Sequence, residues 1–178
     1  MTKCKSVAEA WFYLNKTIEN GWSRSVPLNF LDTQLYLRQG KAITNFERVL
    51  PDLQSDLAIE TTKDPYNFDF LALTEGYREK ELEDALTSNI TKFLLELGQG
   101  FAFVGRQVPI QVGEKELFLD LLFYHLDLQC YVVVEIKVCE FDPSFIGMLG
   151  VYVSAINHIK KKCTDNQTIG LLICKTKG

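Results

Sequence analysis

The sequence FLDLLFYHLDLQCYVVVEIKVCEF, residues 118 to 141, carries the principal signal for the fold of this chain. It contains two apolar runs rich in aromatic and β-branched residues, separated by turn residues around Asp127, which predict two adjacent strands of a buried sheet. Three charged residues interrupt the runs: Asp120, Glu135 and Lys137. Burial of an unpaired charge is strongly unfavourable. Either these charges satisfy one another, or a further group lies between them.

The spacing of the three charges favours one shared face of the sheet. Glu135 and Lys137 are two residues apart on one strand and therefore point to the same side. A hairpin between the two strands brings Asp120 to that side as well. Mg²⁺ prefers hard oxygen ligands and keeps several waters, so two carboxylates and the Ile136 carbonyl would suffice to bind it. Lys137 would then hold, or help to deprotonate, a metal-bound water. A buried ion pair that fixes strand register explains the same pattern, and the local sequence leaves both interpretations open.

The rest of the chain predicts helices before this sheet and one helix within it. Residues 6 to 21 predict an amphipathic helix that begins at Ser6, ends at Gly21 and has apolar residues at 7, 11, 14 and 18. Residues 25 to 40 predict a second helix, and the proline-broken segment that follows predicts a connector with short helices. The strongest helix is predicted from an N-cap at Thr74 to Gly98. The remaining predicted elements are strands at 101–112, 116–126, 130–138 and 168–174, with a helix opened by Asp142 and Pro143 before the last strand.

These elements predict an α/β unit in the order αβββαβ. We expect a helical N-terminal region over residues 1–74, forming part of a domain, and the α/β domain over residues 75–178. Both ends of the chain lie within a few residues of a predicted element, as in a fragment of a longer protein.

Composition narrows the class of protein. Of 178 residues, 47% are hydrophobic, which is enough for a proper core, and the net charge of −4 confines any phosphate-binding surface to a local patch. Five cysteines without a CxxC pair favour neither a disulfide scaffold nor a zinc site. Without a signal peptide or an apolar run of about 18 residues, the sequence predicts a cytoplasmic protein and no membrane partner.

Long strings in the chain closely resemble the YhcG-like family of PD-(D/E)XK nucleases. The resemblance is carried by LELGQG, FAFVGRQ and LLFYHLDLQCYVVVEIK, together with ENGWSRSV, KAITNFERVLP, KDPYNFDFL and TIGLLICKTK. It covers nearly the whole chain and implies a restriction-endonuclease-like αβββαβ core with a helical N-terminal part. It also implies that Asp120 is the PD-type acid, that Glu135 and Lys137 form the ExK pair, and that Glu83 is the helical acid that often completes the metal site.

The resemblance also bears on residues around this set. Arg106 and Gln107 close the FVGRQ strand and are predicted to contact phosphate or substrate, with surface decoration as the alternative. Tyr152 matches the family and is predicted to line the site or to pack in the core. Relatives commonly place Gln or Lys where this chain has Met148, so a supporting hydrogen bond to substrate is missing if Met148 faces the site. Burial of Met148 between helix and sheet is the alternative.

The function implied by the resemblance is metal-dependent hydrolysis of phosphodiester bonds, with Mg²⁺ as the cofactor and Mn²⁺ as a substitute. DNA is the expected substrate, ahead of RNA. Because a duplex-cutting enzyme with one site per chain commonly works as a dimer, a homo-oligomer is expected. Two alternatives remain: a catalytically weak nucleic-acid-binding module, which the negative charge and Met148 favour, and an RNA-processing nuclease on the same fold.

Overall fold

The chain divides into two compact units, Met1–Asn67 and Phe68–Gly178. The domain boundary expected at residue 74 and most of the predicted connector lie outside the residues that the structure describes. The N-cap expected at Thr74 is wrong, because the helix begins at Glu79 and the extended residue before it, Arg78, is its N-cap. None of the helices among the described residues is long and apolar enough to cross a membrane. This computed structural model describes residues 4–42, 44, 46–50, 55–56, 58–59, 62–63, 66 and 78–176.

The first helix of the N-terminal unit, α1 (Val7–Asn20), begins and ends where the sequence predicts. The Ser6 hydroxyl accepts a hydrogen bond from the Glu9 amide at 3.1 Å, which satisfies one of the free N–H groups of the first turn. Gly21 adopts a left-handed conformation at φ 58°, which suits a residue without a Cβ atom at a helix end. Tyr13 anchors α1 because its buried hydroxyl donates to the Phe30 carbonyl at 3.0 Å.

The prediction of one continuous second helix is wrong, because the segment forms α2 (Ser25–Asp32) and α3 (Leu35–Arg38) with a turn between them. Gln34 lies in the left-handed region at φ 53°, so the helix cannot continue through it. The Thr33 hydroxyl and the Thr33 amide both donate to the Asn29 carbonyl, at 3.1 Å and 2.9 Å, and a side-chain bond of this kind often bends a helix. A further short helix, α4 (Phe46–Val49), follows in this unit.

The long helix predicted before the sheet is also interrupted. It forms α5 (Glu79–Ser88) and α6 (Ile90–Leu97), with Asn89 between them in a non-helical conformation. The Asn89 side-chain amide donates to the Ala85 carbonyl at 3.0 Å, a local bond of the kind that bends or ends helices. The break places α5 and α6 as separate helices beside the sheet.

Four strands form one mixed sheet in the order β1-β2-β3-β4. Their bounds are β1 (Phe101–Val112), β2 (Lys115–His125), β3 (Cys130–Glu140) and β4 (Ile169–Thr176). The first three strands pair antiparallel, and β4 pairs parallel to β3 after the crossover helix α7 (Pro143–Ile159). This order confirms the predicted α/β fold class and its αβββαβ core.

Helix α7 covers one face of the sheet and closes the main core. Asp142 caps it by accepting a hydrogen bond from the Ser144 amide at 2.7 Å, and Pro143 opens it as predicted. At Gly170 of β4, an added Cβ would lie 2.8 Å from the Leu149 side chain, so only glycine permits this approach of helix and strand. The core cluster consists of Ile110, Leu119, Leu122, Val133, Leu149, Tyr152, Ala155 and Ile156.

Candidate active site

Strand register brings the two predicted carboxylates together. Leu121 on β2 pairs with Val134 on β3, and one further step of the same antiparallel register places Asp120 opposite Glu135. Directly opposed residues of an antiparallel pair share a face of the sheet. One oxygen of Asp120, Oδ2, accepts a hydrogen bond from the backbone amide of Ile136 at 2.9 Å. Asp120 is therefore fixed against β3 beside Glu135.

Lys137 completes the charged group. Its Nζ atom lies 3.0 Å from Oε1 of Glu135 and 3.6 Å from Oε2 of Glu79, and 5.8 Å from the centre of the Phe145 ring. Burial acts to lower the pKa of Lys137, but the hydrogen bond and charge of Glu135 outweigh it, and the pKa is raised. A lysine that keeps its proton is suited to hold a water or a phosphate oxygen rather than to deprotonate it.

The structure also brings Glu83 and Gln107 to this cluster. The Gln107 side-chain amide donates to Oε2 of Glu83 at 2.9 Å and to Oδ1 of Asp120 at 3.4 Å. Gln107 lies opposite Asp120, between the paired residues of β1 and β2, and its backbone is left-handed at φ 44°. Gln107, predicted to contact substrate, thus links two carboxylates of the site.

The left-handed residue also explains why two neighbouring side chains of β1 reach the same helix. In a regular strand, Arg106 and Gln107 would point to opposite faces. Instead, Arg106 forms an ion pair with Asp84 of α5 at 2.6 Å, while Gln107 bonds to Glu83 of the same helix. The Arg106 guanidinium, predicted as a phosphate contact, is thus engaged by a half-exposed carboxylate next to the site.

The carboxylates are electrostatically unsatisfied. Burial and the charge of Asp120 raise the pKa of Glu135 to about 6, and burial also raises the pKa values of Asp120 and Glu83. Within the described part of the chain, Oε2 of Glu135 and Oε1 of Glu83 are buried without a hydrogen-bond partner. A cluster of this kind is short of positive charge, which a cation would supply.

The carboxylates present suit a cation that retains several of its coordinated water molecules. Over the described residues, no three His, Cys, Asp or Glu side chains are close enough together to hold a metal ion. Asp120 and Glu135 supply two hard carboxylates, and Mg²⁺ needs few protein ligands because it retains several waters. The Glu83 carboxylate accepts a hydrogen bond from Gln107, beside Asp120. Its role as a third metal ligand stays a prediction, and so does that of the Ile136 carbonyl.

Helix α7 contributes a second side to the site. Tyr152 is only 7% exposed and packs in the main core, and burial together with the charges of Glu135 and Asp120 raises its pKa. Phe145, Met148 and Tyr152 are spaced three and four residues apart and therefore share one helix face. Because Met148 is 46% exposed, the alternative that buries it between helix and sheet is wrong.

Glu79, which was not among the predicted site residues, has its carboxylate 3.6 Å from Nζ of Lys137. The available signal was its spacing. Glu79 lies four residues before Glu83 on the same predicted helix, and residues at that spacing share a helix face. The helix that brings one acid to the site therefore brings the other.

Comparisons with known proteins show the family to which the chain belongs. A family model described as the YhcG PDDEXK nuclease domain matches residues 59–178. The chain is 33% identical over 175 residues to the protein named "Putative nuclease YhcG" of Escherichia coli strain K12, covering 94% of this chain and 45% of the relative. It therefore spans less than half the length of that relative. The crystal structure of a repair endonuclease from Pyrococcus abyssi is similar over 59% of this chain and 42% of its own, at 23% identity and a TM-score of 0.42.

Proposed function

The chain belongs to the YhcG PDDEXK nuclease domain family, and from this premise we propose that it hydrolyses phosphodiester bonds of DNA with the help of a divalent cation. The observation that carries the proposal is the pair Asp120 and Glu135. Two partly or fully buried carboxylates lie side by side, both with raised pKa values, next to the ammonium group of Lys137. Two adjacent buried carboxylates destabilise the fold when no cation lies between them, and they are typical of a site that binds one.

Asp120 and Glu135 would hold the cation, with the Ile136 carbonyl as a third protein ligand. A bound Mg²⁺, or Mn²⁺ in its place, would supply Lewis acidity towards the scissile phosphate and the attacking water. The Ile136 amide orients Asp120 by donating to Oδ2 at 2.9 Å, which leaves Oδ1 directed towards Gln107. These contacts would fix the carboxylate before a substrate binds, and preorganisation of this kind is a main source of catalytic power.

Lys137 would act on the substrate rather than on the cation. Its raised pKa keeps the ammonium charged, and Glu135 at 3.0 Å and Glu79 at 3.6 Å hold it at the site. From there it would donate to the attacking water or to a phosphate oxygen and stabilise the charge that develops in the transition state. Arg106, whose side chain is half-exposed beside the site, would contribute a substrate contact from β1.

Metal binding is tested first, by melting the protein with and without Mg²⁺ or Mn²⁺. Because a ligand that binds the native state stabilises it by mass action, about 100 dissociation constants of cation should add about 2.7 kcal/mol. The double variant Asp120→Asn/Glu135→Gln should lose this gain, whereas Glu114→Gln, an exposed acid in the β1–β2 turn, should keep it. A cation-dependent shift that survives in the double variant would exclude these ligands.

Cleavage of end-labelled DNA and RNA of the same sequence then separates the candidate functions. We expect DNA cleavage by the wild-type chain in Mg²⁺ or Mn²⁺, none in EDTA, and none with Asp120→Ala. Cleavage of RNA alone would replace the proposal with an RNA-processing nuclease. If the protein binds the cation and binds either nucleic acid but cleaves neither, it is a catalytically weak nucleic-acid-binding module.

A further inference from the structure

The apolar residues that predict helix α1 face away from the unit that the helix belongs to. Val7 is 76% exposed, Trp11 59%, Leu14 49% and Ile18 71%. The helix packs instead through its other side, where Tyr13 joins a core cluster with Phe30 and Leu35. We call the four exposed residues the α1 stripe. Apolar residues at this alternating four- and three-residue spacing are typical of the seam between two helices.

The α1 stripe has the same spacing in both directions along the helix. Its members follow one another at intervals of four, three and four residues. If a second copy of the helix is laid antiparallel on the stripe, Val7 lies opposite Ile18 of that copy and Trp11 lies opposite its Leu14. A two-fold contact between identical subunits requires such reciprocity, because whatever one copy presents must fit the same surface on the other.

The charges around the α1 stripe permit this self-association. The positions that flank a helix seam commonly carry the charges that select or reject a partner. In α1 these positions hold Ala8, Ala10, Asn15 and Thr17, so two copies bring no like charges together along the seam. The neighbouring charges of Lys16 and Glu19 are paired with each other at 3.4 Å within the same helix, so they add no repulsion between like charges.

We propose that the α1 stripe is a homodimerisation surface, through which two copies of the chain pair in antiparallel orientation. The proposal does not depend on the nuclease activity proposed above. Four side chains from each copy form a contact smaller than the roughly 800 Å² per partner that stable complexes bury. The dimer is therefore a weak, reversible one, and its population depends on protein concentration.

Sedimentation velocity over a concentration series tests the association. From about 1 μM to several hundred μM, the wild-type chain should pass from the monomer mass to the dimer mass. Trp11→Glu/Leu14→Glu should raise the dissociation constant at least tenfold, since it removes the aromatic residue at the centre of the contact and places like charges opposite each other in the antiparallel pair. Leu126→Glu, the same kind of change at an exposed position of the other unit, should leave it unaltered.

The melting temperature serves as the control for folding, and it should not fall in the Trp11→Glu/Leu14→Glu variant at a concentration where both proteins are monomeric, because both side chains are exposed. If the wild-type chain stays monomeric throughout the concentration series, the proposal is wrong and the α1 stripe would bind a different partner. A dimer that the double variant does not weaken would overturn it too, because the contact would then lie elsewhere.

Cross-linking tests the orientation. In a background in which the native cysteines are serine, Val7→Cys and Ile18→Cys are prepared as separate proteins and oxidised alone or mixed. Antiparallel pairing predicts that the mixture forms disulfide-linked dimers and that neither protein does so alone. Linked dimers from each protein by itself, with no gain on mixing, would indicate parallel helices and overturn the antiparallel arrangement.

Discussion

Replacement of Gln107 by leucine tests whether the site is organised by this amide. The Gln107 Nε2 atom donates to Glu83 at 2.9 Å and to Asp120 at 3.4 Å, and Glu83 is only 7% exposed. Leucine fills a similar volume and removes both bonds. The left-handed backbone strains Gln and Leu alike, since both carry a Cβ atom, so the comparison isolates the amide.

The expected loss follows from the stronger of the two contacts. A hydrogen bond to a charged group is worth about 1.5–3 kcal/mol, and the bond to Glu83 is the short one. The other oxygen of Glu83 is already buried without a partner among the described residues, so the variant leaves the whole carboxylate unsatisfied. We therefore expect Gln107→Leu to lower the free energy of unfolding by about 1.5–3 kcal/mol in the absence of a cation.

Urea unfolding monitored by circular dichroism measures this loss. The matched control is Gln111→Leu on the same strand, where the exposed amide bonds only to the Gly113 carbonyl and the expected change is within about 0.5 kcal/mol. Saturating Mg²⁺ should narrow the deficit of Gln107→Leu, because a cation supplies the charge that the amide partly supplied. Equal losses in the two variants would refute the role of Gln107, as would a deficit that Mg²⁺ does not change.

Three further predictions concern single residues. Lys137→Ala should reduce cleavage by ~10²- to 10⁴-fold while calorimetry shows cation affinity largely kept, because the ammonium acts in the transition state; unchanged cleavage would leave it as an ion-pair partner of Glu135. Met148→Gln should raise the rate of cleavage by about one to two powers of ten, because Gln can donate the hydrogen bond to substrate that Met cannot. The melting temperature should not fall, since the Met148 side chain is 46% exposed. Val151→Gln on the same helix should change neither the rate nor the melting temperature. Burial lowers the pKa of His125 below its usual 6.5, so the unfolded chain binds the additional proton and the contribution of His125 to stability should decrease as the pH drops below about 6.5, opposite in sign to that of Glu135. His125→Asn should therefore become more stable relative to the wild type as the pH falls from about 7.5 to about 5, and a difference between the two that does not change with pH would exclude this role of His125.

The order of elements could be read from the chain alone. Alternating apolar residues, turn residues and helix caps act over a few positions, so they mark strands and helix ends without knowledge of the fold. Ser6 and Gly21 bound α1 as predicted, and Asp142 with Pro143 opens α7. The αβββαβ order followed from these local signals, and so did the shared face of Glu135 and Lys137.

Tertiary structure decided where the side chains point. Nothing local predicts that Gln34 or Gln107 adopts a left-handed backbone, yet the first ends a helix and the second turns a predicted substrate contact into a link between two carboxylates. Likewise, the spacing of the α1 stripe predicted a helix but not which of its faces would pack. The pKa of Glu135, about 6, depends on burial and on Asp120 across the hairpin. Local sequence fixes backbone periodicity because its interactions span a few residues, whereas burial, register and charge pairing join residues far apart in the chain and exist only once it has folded.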